Sequence, residues 1–376
     1  MKHCPSVKKC GACSYIHTDY QEQLKMKREE IRKLYPKENV EPVTGMKDPY
    51  HYRHKIYASF YMDKTKKIRA GLYEESTHKT VNSEMCLIQH SKANLILKTV
   101  CETAGKLHIP VYDEKTGRGT LRHAYLRISH DNGDVLLVIV IGSKDLPSSK
   151  TFVSMLREKH PEIKTVVLNY NNAYTSMILG KRDRVIYGKG VIFDKIAGIT
   201  FGISAHSFYQ VNPEQTEKMY AAALKMAKLK DTDIVLDACC GIGTISLLAA
   251  QKAKKVIGVE INPAAVKDAV NNAKLNHITN AEFIADDAEN MIRNSDIRPD
   301  VVFLDPPRSG LSESFLNTLG KKAPERIVYI SCYPPTQAEN INILKKYGYR
   351  IRKIVPFDNF PFTRHVETVV LLSRVK

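Results

Sequence analysis

Two side chains near the end of the chain are of types that do covalent chemistry. Cys332 stands in Ser331-Cys332-Tyr333-Pro334, and Glu367 in Thr363-Arg364-His365-Val366-Glu367-Thr368. A thiolate is a strong nucleophile, and a positioned carboxylate is a general base. Alone, each has a plainer reading: most free cysteines are small buried hydrophobes, and a glutamate on a strand is usually solvated. Together they can add sulfur to a carbon and later remove a proton from its neighbour. Asp305 opens Asp305-Pro306-Pro307-Arg308-Ser309-Gly310 after a strand-like run, as Cys332 follows Arg326–Ser331. Ligands of open α/β sheets bind outside the carboxyl ends of the strands, so Asp305 and Cys332 share that edge and Glu367 enters beside it.

A second set of residues suits a nucleotide-like cofactor. The run Asp233–Asp237 leads into Ala238-Cys239-Cys240-Gly241-Ile242-Gly243-Thr244 and then a helical segment. Glycines at such a turn let backbone approach a ligand, and the helix start offers free N–H groups. Ser246 stands where a dinucleotide fold has its third glycine, which weakens a nicotinamide reading. Glu260 ends the next strand-like run, where a carboxylate can accept from both ribose hydroxyls. Asp287 follows the third and is suited to an adenine amino group. The plain alternative is a generic α/β domain in which these acids are turn residues.

The two sets answer one chemical problem. C5 of uracil is a poor nucleophile. Thiolate addition at C6 makes C5 enolate-like, able to take the sulfonium methyl of S-adenosyl-L-methionine (SAM), after which the C5 proton must leave so that elimination can expel the cysteine. These residues resemble those of the bacterial and archaeal RNA uracil-5-methyltransferases over nearly the whole chain. Ser207-Phe208-Tyr209-Gln210-Val211-Asn212 is similar to the family's S-F-x-Q-x-N, whose Gln contacts SAM. Leu236–Ser246 resembles its SAM loop, with Cys239, Gly241, Gly243 and Thr244 lining the cofactor. The resemblance makes Glu260 and Asp305 SAM-binding acids, Cys332 the nucleophile and Glu367 the base. Two departures stand out: Tyr333 where the family usually has Asn, and Cys239 where it often has an aromatic.

Four other cysteines, Cys4, Cys10, Cys13 and Cys86, form a soft-thiolate set that suits an iron–sulfur cluster or zinc. Paired short knuckles, the commoner zinc pattern, are absent. The resemblance favours iron: the ribosomal-RNA branch of the family holds a [4Fe–4S] cluster on this ligand pattern, whereas the bacterial tRNA branch generally lacks it. It implies large-subunit (23S) ribosomal RNA as substrate, with tRNA as the alternative.

The elements expected to position these groups fall into two styles. Before residue 200 the pattern is α+β: strand-like runs at 51–60 and 68–73, a helix at 91–107, a hairpin over 121–141 turning at Asn132-Gly133, a helix at 147–160 and a strand at 163–170. After it, strands and helices alternate, as in a Rossmann-like parallel sheet. Arg350–Pro356 and Thr368–Leu372 then form an antiparallel pair at its edge, the usual finish of a SAM-methyltransferase domain. The expected division is an Fe–S region at 1–90 and a central RNA-binding α+β domain at 91–200, together one N-terminal unit, then a catalytic domain at 201–376.

The net charge is +17, of which residues 1–200 carry +13. Such a basic half suits a polyanion. Tyr52-Arg53-His54-Lys55 and Arg122-His123-Ala124-Tyr125-Leu126-Arg127 are the expected RNA contacts, though a surface ladder would read the same. The family often carries an N-terminal RNA-binding barrel; with Cys4 at the start, grip is expected from the central domain. No apolar run is long enough to span a bilayer. The expectation is a cytoplasmic monomer with structured RNA as partner, and neither DNA nor membrane. Two rivals are an amino-methyltransferase, which needs an aromatic where Arg308 stands, and a non-catalytic RNA-binding scaffold with a SAM pocket.

Overall fold

The computed structural model describes residues 3–74, 77, 79–175 and 177–375. The chain divides into two units, Met1–His17 with Tyr50–Lys195 and Gly202–His206, and Thr18–Pro49 with Ile196–Phe201 and Ser207–Lys376. This corrects the expected boundaries. Residues 1–90 are not one region, because 18–49 belong to the second unit, and no break falls near residue 90.

In the first unit a short helix α1 (Val7–Cys10) precedes a seven-stranded sheet. Its strands are β1 (Lys55–Met62), β2 (Ile68–Tyr73), β3 (Thr80–Asn82), β4 (Leu121–Ile128), β5 (Val135–Ile141), β6 (Ile163–Tyr170) and β7 (Arg182–Tyr187). They lie in the order β3-β2-β1-β4-β5-β6-β7. Only β5–β6 is parallel among these pairs, since α4 (Ser149–Lys159) carries the chain across. With α3 (Ser91–Lys106), this helix packs the apolar residues of β4, β5 and β6 into one core. β4 and β5 are buried along their whole length, which explains the unbroken apolar run of β5. A two-stranded sheet, β8 (Ile192–Ile196) with β9 (Ile199–Ile203), follows.

The second unit starts with α2 (Tyr20–Leu34) and resumes with α5 (Pro213–Ala227), whose first turn has Pro213 in place of a residue with an N–H and Asn212 as cap. Strands β10 (Ile234–Asp237), β11 (Lys255–Glu260), β12 (Ala281–Ala285), β13 (Val301–Leu304) and β14 (Arg326–Ser331) alternate with α6 (Thr244–Ala250), α7 (Pro263–Leu275), α8 (Ala288–Asn294) and α9 (Glu313–Lys322). After α10 (Pro334–Lys345) come β15 (Tyr349–Phe357) and β16 (Glu367–Arg374). The sheet order is β12-β11-β10-β13-β14-β16-β15. The four pairs up to β14 are parallel, and β16 runs antiparallel to both neighbours. This is the expected Rossmann-like methyltransferase sheet with its antiparallel final strand. Chain order reverses between β10 and β13, so a cleft opens outside their carboxyl ends.

α2 belongs here for a packing reason. Ile31, Tyr35 and Val40 join the core built by β10, β13, β14 and β16. Lys27 is buried and bonds Asp358 at 2.5 Å and the carbonyl of Phe360 at 3.1 Å. Tyr20 donates to the same carboxylate at 2.9 Å, and Gln23 accepts from the N–H of Phe362 at 3.0 Å. The loop between β15 and β16 is thereby fixed to α2.

Candidate active site

β14 ends at Ser331, which pairs with Thr368. Because β16 runs backwards, its first residue is delivered to the edge where β13 and β14 stop, which is how Glu367 reaches Cys332. Glu367 is 2% exposed. Burial pushes its carboxyl up to about 7, opposed by a hydrogen bond from the Asn359 side chain. The half-buried Cys332 thiol is pushed up by burial, then by the carboxylates of Glu367 and Asp305, while Arg308 pulls it down. The Arg308 guanidinium lies 5.1 Å from the ring centre of Tyr333. Asp305 is held well above the usual carboxylate range by burial and by Glu367 and Asp237. These groups cannot all be ionised at once without a cation among them. The arrangement puts a thiol and a carboxyl with a pKa raised to about 7 at one sheet edge, which could serve as nucleophile and base.

The cofactor residues gather on the adjoining strand ends. Gly241 and Gly243 have φ of 55° and 84°. A Cβ on Gly243 would stand 3.0 Å from the ring of Phe283, so the turn needs glycine twice over. The N–H groups of Gly241 and Asn262 donate to the Glu260 carboxylate at 3.2 and 2.9 Å. Ser246, in the third-glycine place, donates to Asp237 at 2.6 Å, and this use explains the departure from a dinucleotide loop. The other Asp237 oxygen is buried without a partner, and burial lifts the carboxyl to about 6. The Cys239 thiol is raised by burial and by Asp237, Asp305, Glu260 and Asp287. Four acids from successive strand ends thus act on one thiol, a negative field that suits a cationic ligand. Thr244 opens α6 beside it. Asp287 is exposed and caps α8, accepting from Glu289 and Asn290 at 2.8 and 3.3 Å, a duty that competes with the expected adenine contact.

Sequence reasoning missed three residues here. Tyr220 on α5 is buried, bonds Gln210 and feels Asp305 and Glu367. Asn359 has no motif around it. Asp237 was legible as a strand-terminal acid of the same kind as Glu260.

A family model described as tRNA (uracil-5-)-methyltransferase matches residues 19–375. The chain belongs to this RNA uracil-5-methyltransferase family. It is 41% identical to an uncharacterized RNA methyltransferase of Bacillus cereus, over 99% of this chain and 83% of the relative. An uncharacterized RNA methyltransferase of Halalkalibacterium halodurans is 39% identical over 98% and 82%. Among solved structures, the Pyrococcus abyssi tRNA (uracil-54, C5)-methyltransferase in complex with S-adenosyl-L-homocysteine superposes with a TM-score of 0.82. The likeness covers 99% of this chain and 87% of that one at 24% identity, and it shows the fold.

In this methyltransferase the remaining predicted residues lie in the first unit. Cys4, Cys10, Cys13 and Cys86 line one pocket with Val7, Ile16, Leu72, Val81, Leu87 and Ile88. Burial raises the thiols of Cys10, Cys13 and Cys86, Cys13 to about 12, and their mutual repulsion adds to it. Among the described residues no three Cys, His, Asp or Glu side chains are gathered closely enough to hold a metal ion. The expected RNA contacts divide. Arg53, His54 and Lys55 are partly accessible, and Lys55 is lowered to about 7 by burial and by the charges of Arg127 and Arg53. Arg122 and Arg127 are only 4% exposed. Arg122 points into the protein, donating to the carbonyls of Asn171 and Ala173 at 2.9 and 2.8 Å and to Glu114 at 3.1 Å. The reading of β4 as an RNA-contacting strand is therefore corrected: its cations are internal struts. No described helix is long and apolar enough to cross a membrane.

Proposed function

We propose that this chain methylates C5 of a uracil in structured RNA, most specifically 23S ribosomal RNA, through a covalent Cys332 adduct. The observation that carries the reading is Glu367, fully buried and near-neutral in pKa, felt electrostatically by the half-buried Cys332 thiol. Gln210, Cys239, Gly241, Gly243, Thr244, Glu260, Asp287 and Asp305 would hold SAM. The fit rests on four acids around Cys239 and the orphan oxygen of Asp237. SAM, when bound, supplies the electrophilic methyl group that C5 takes up. Cys332 adds to C6, and Arg308 favours its thiolate. Glu367 then removes the C5 proton, and elimination frees the thiol. The target base has to leave its stack to reach Cys332.

Cys4, Cys10, Cys13 and Cys86 would hold a [4Fe–4S] cluster. Their fit rests on four thiols lining one apolar pocket, where only a cationic centre makes thiolates favourable. Such a cluster would favour the ribosomal-RNA branch of the family. The second reading, a tRNA substrate, is favoured by the description of the matching family model.

The test is a denaturing gel with radiolabelled methyl donor and both 23S and tRNA transcripts. Cys332→Ala is expected to give neither product nor adduct. Glu367→Gln is expected to accumulate a methylated protein–RNA species, because addition still occurs while elimination stalls. Turnover by Cys332→Ala would remove the nucleophile assignment.

A further inference from the structure

The connection from β6 to β7 is pinned at its base. Arg122 bonds two of its carbonyls, Asn171 bonds the carbonyls of Met177 and Ile178 at 2.8 and 3.1 Å, and Asn169 both accepts from and donates to Gly180. A Cβ on Gly180 would come within 2.0 Å of the Tyr170 carbonyl, so the loop closes tightly there. From this fixed base the side chains of Tyr174 and Met177 project, 90% and 66% exposed. A tyrosine ring this bare gains nothing for folding, yet buried polar groups are committed to holding the loop beneath it. The flank is mainly basic. Lys181, Arg182 and Arg184 are all exposed; Arg182 lies 4.7 Å from the ring centre of Tyr170, and Arg184 pairs with Asp145. Asp183 is paired with His206 at 2.9 Å.

We propose that this loop is an RNA-reading prong, in which Tyr174 stacks on an unpaired nucleobase while Lys181 and Arg182 neutralise the adjoining phosphates. An aromatic face beside cations is the chemistry that binds single-stranded nucleic acid. A pinned base keeps the ordering cost low. The inference rests on the proposed RNA substrate, and it assigns recognition to a hairpin tip rather than to the strand the sequence suggested.

The test is fluorescence anisotropy with a labelled single-stranded RNA and a labelled RNA duplex, using the full chain. Tyr174→Ala is expected to weaken single-strand binding roughly 5- to 100-fold, the range of one lost stacking contact, and duplex binding far less. Tyr174→Phe is expected to bind like the parent, because the ring and not the hydroxyl does the stacking. S-adenosyl-L-homocysteine binding should be unchanged in both, which controls for folding. If Tyr174→Ala binds single strands like the parent, the prong is wrong, even in a protein that methylates RNA well. If it matters only on assembled ribonucleoprotein and not on naked RNA, the loop meets a protein and the proposal also fails. Absence of methyl transfer by the parent would instead count against the proposed function and leave the binding comparison readable.

Discussion

At the scale of single residues the site is a set of acids held where they resist ionisation. Burial pushes the Glu367 carboxyl from its ordinary 4.5 up to about 7, and that of Asp237 up to about 6. As the proposed base, Glu367 must be ionised, so kcat/KM is expected to rise with pH through about 7. It should keep rising beyond, because the Cys332 thiol is itself raised. For stability the sign is reversed. A carboxyl whose folded pKa is raised contributes fully below its unfolded value, and that contribution is lost as pH climbs through the folded one. The loss at Glu367 is on the order of 3 kcal/mol. Glu367→Gln, which cannot ionise, is therefore expected to melt above the parent at pH 8 and alongside it at pH 4. Equal melting at pH 8 would show that the carboxyl is not strained. Cys332, Glu367 and the glycine turn were legible as candidates because each sits in a local motif next to a strand end. Tyr220 and Asn359 were not, since their roles come from what the fold brings against them.

At the scale of elements, the proposed base is positioned by a helix more than three hundred residues earlier in the chain. Lys27 of α2 and Asp358 form a buried pair that fixes the loop carrying Asn359 next to Glu367. Removing one partner of such a pair leaves an uncompensated buried charge, at a cost of about 3–5 kcal/mol. Lys27→Met is expected to melt much lower than the parent. Replacing both, as Lys27→Met with Asp358→Leu, is expected to recover much of the stability but not full turnover, because the loop loses its polar anchor. Full turnover by the double variant would show that Asn359 is held without α2. The periodicity of α2 is visible in the sequence, but its charged surface reads as solvated; nothing in Lys27 itself announces a buried partner. The same limit misled the reading of β4. Arg122 and Arg127 lie five residues apart, on opposite faces of a strand, and nothing in their types says that both faces are covered; the carbonyls of Asn171 and Ala173 hold Arg122 inward.

At the scale of the whole molecule, charge and thiols concentrate in the N-terminal half of the chain while the proposed catalytic pair, Cys332 and Glu367, belongs to the second unit. Protein purified without oxygen is expected to be brown and to carry iron, and Cys10→Ala should lose both the iron and much of the order of the first unit's N-terminal segment. Stoichiometric zinc without iron would end the cluster assignment. The fold class was legible from alternation after residue 200. The boundaries were not, because a discontinuous unit leaves no signal where the chain departs and returns. The sheet order also bears on how the protein comes into being. β16 is the last strand of the sequence yet lies between β14 and β15, and Glu367 is its first residue. Domains fold as units during synthesis, earlier ones first. The first unit has all of its sheet before translation reaches the second half, while the catalytic sheet waits with a gap beside β14 until the final strand emerges. A nascent chain paused short of that strand holds Cys332 without Glu367. The insertion that closes the sheet is the same event that delivers the proposed proton acceptor, so the proposed nucleophile gains its partner only when that strand is in place.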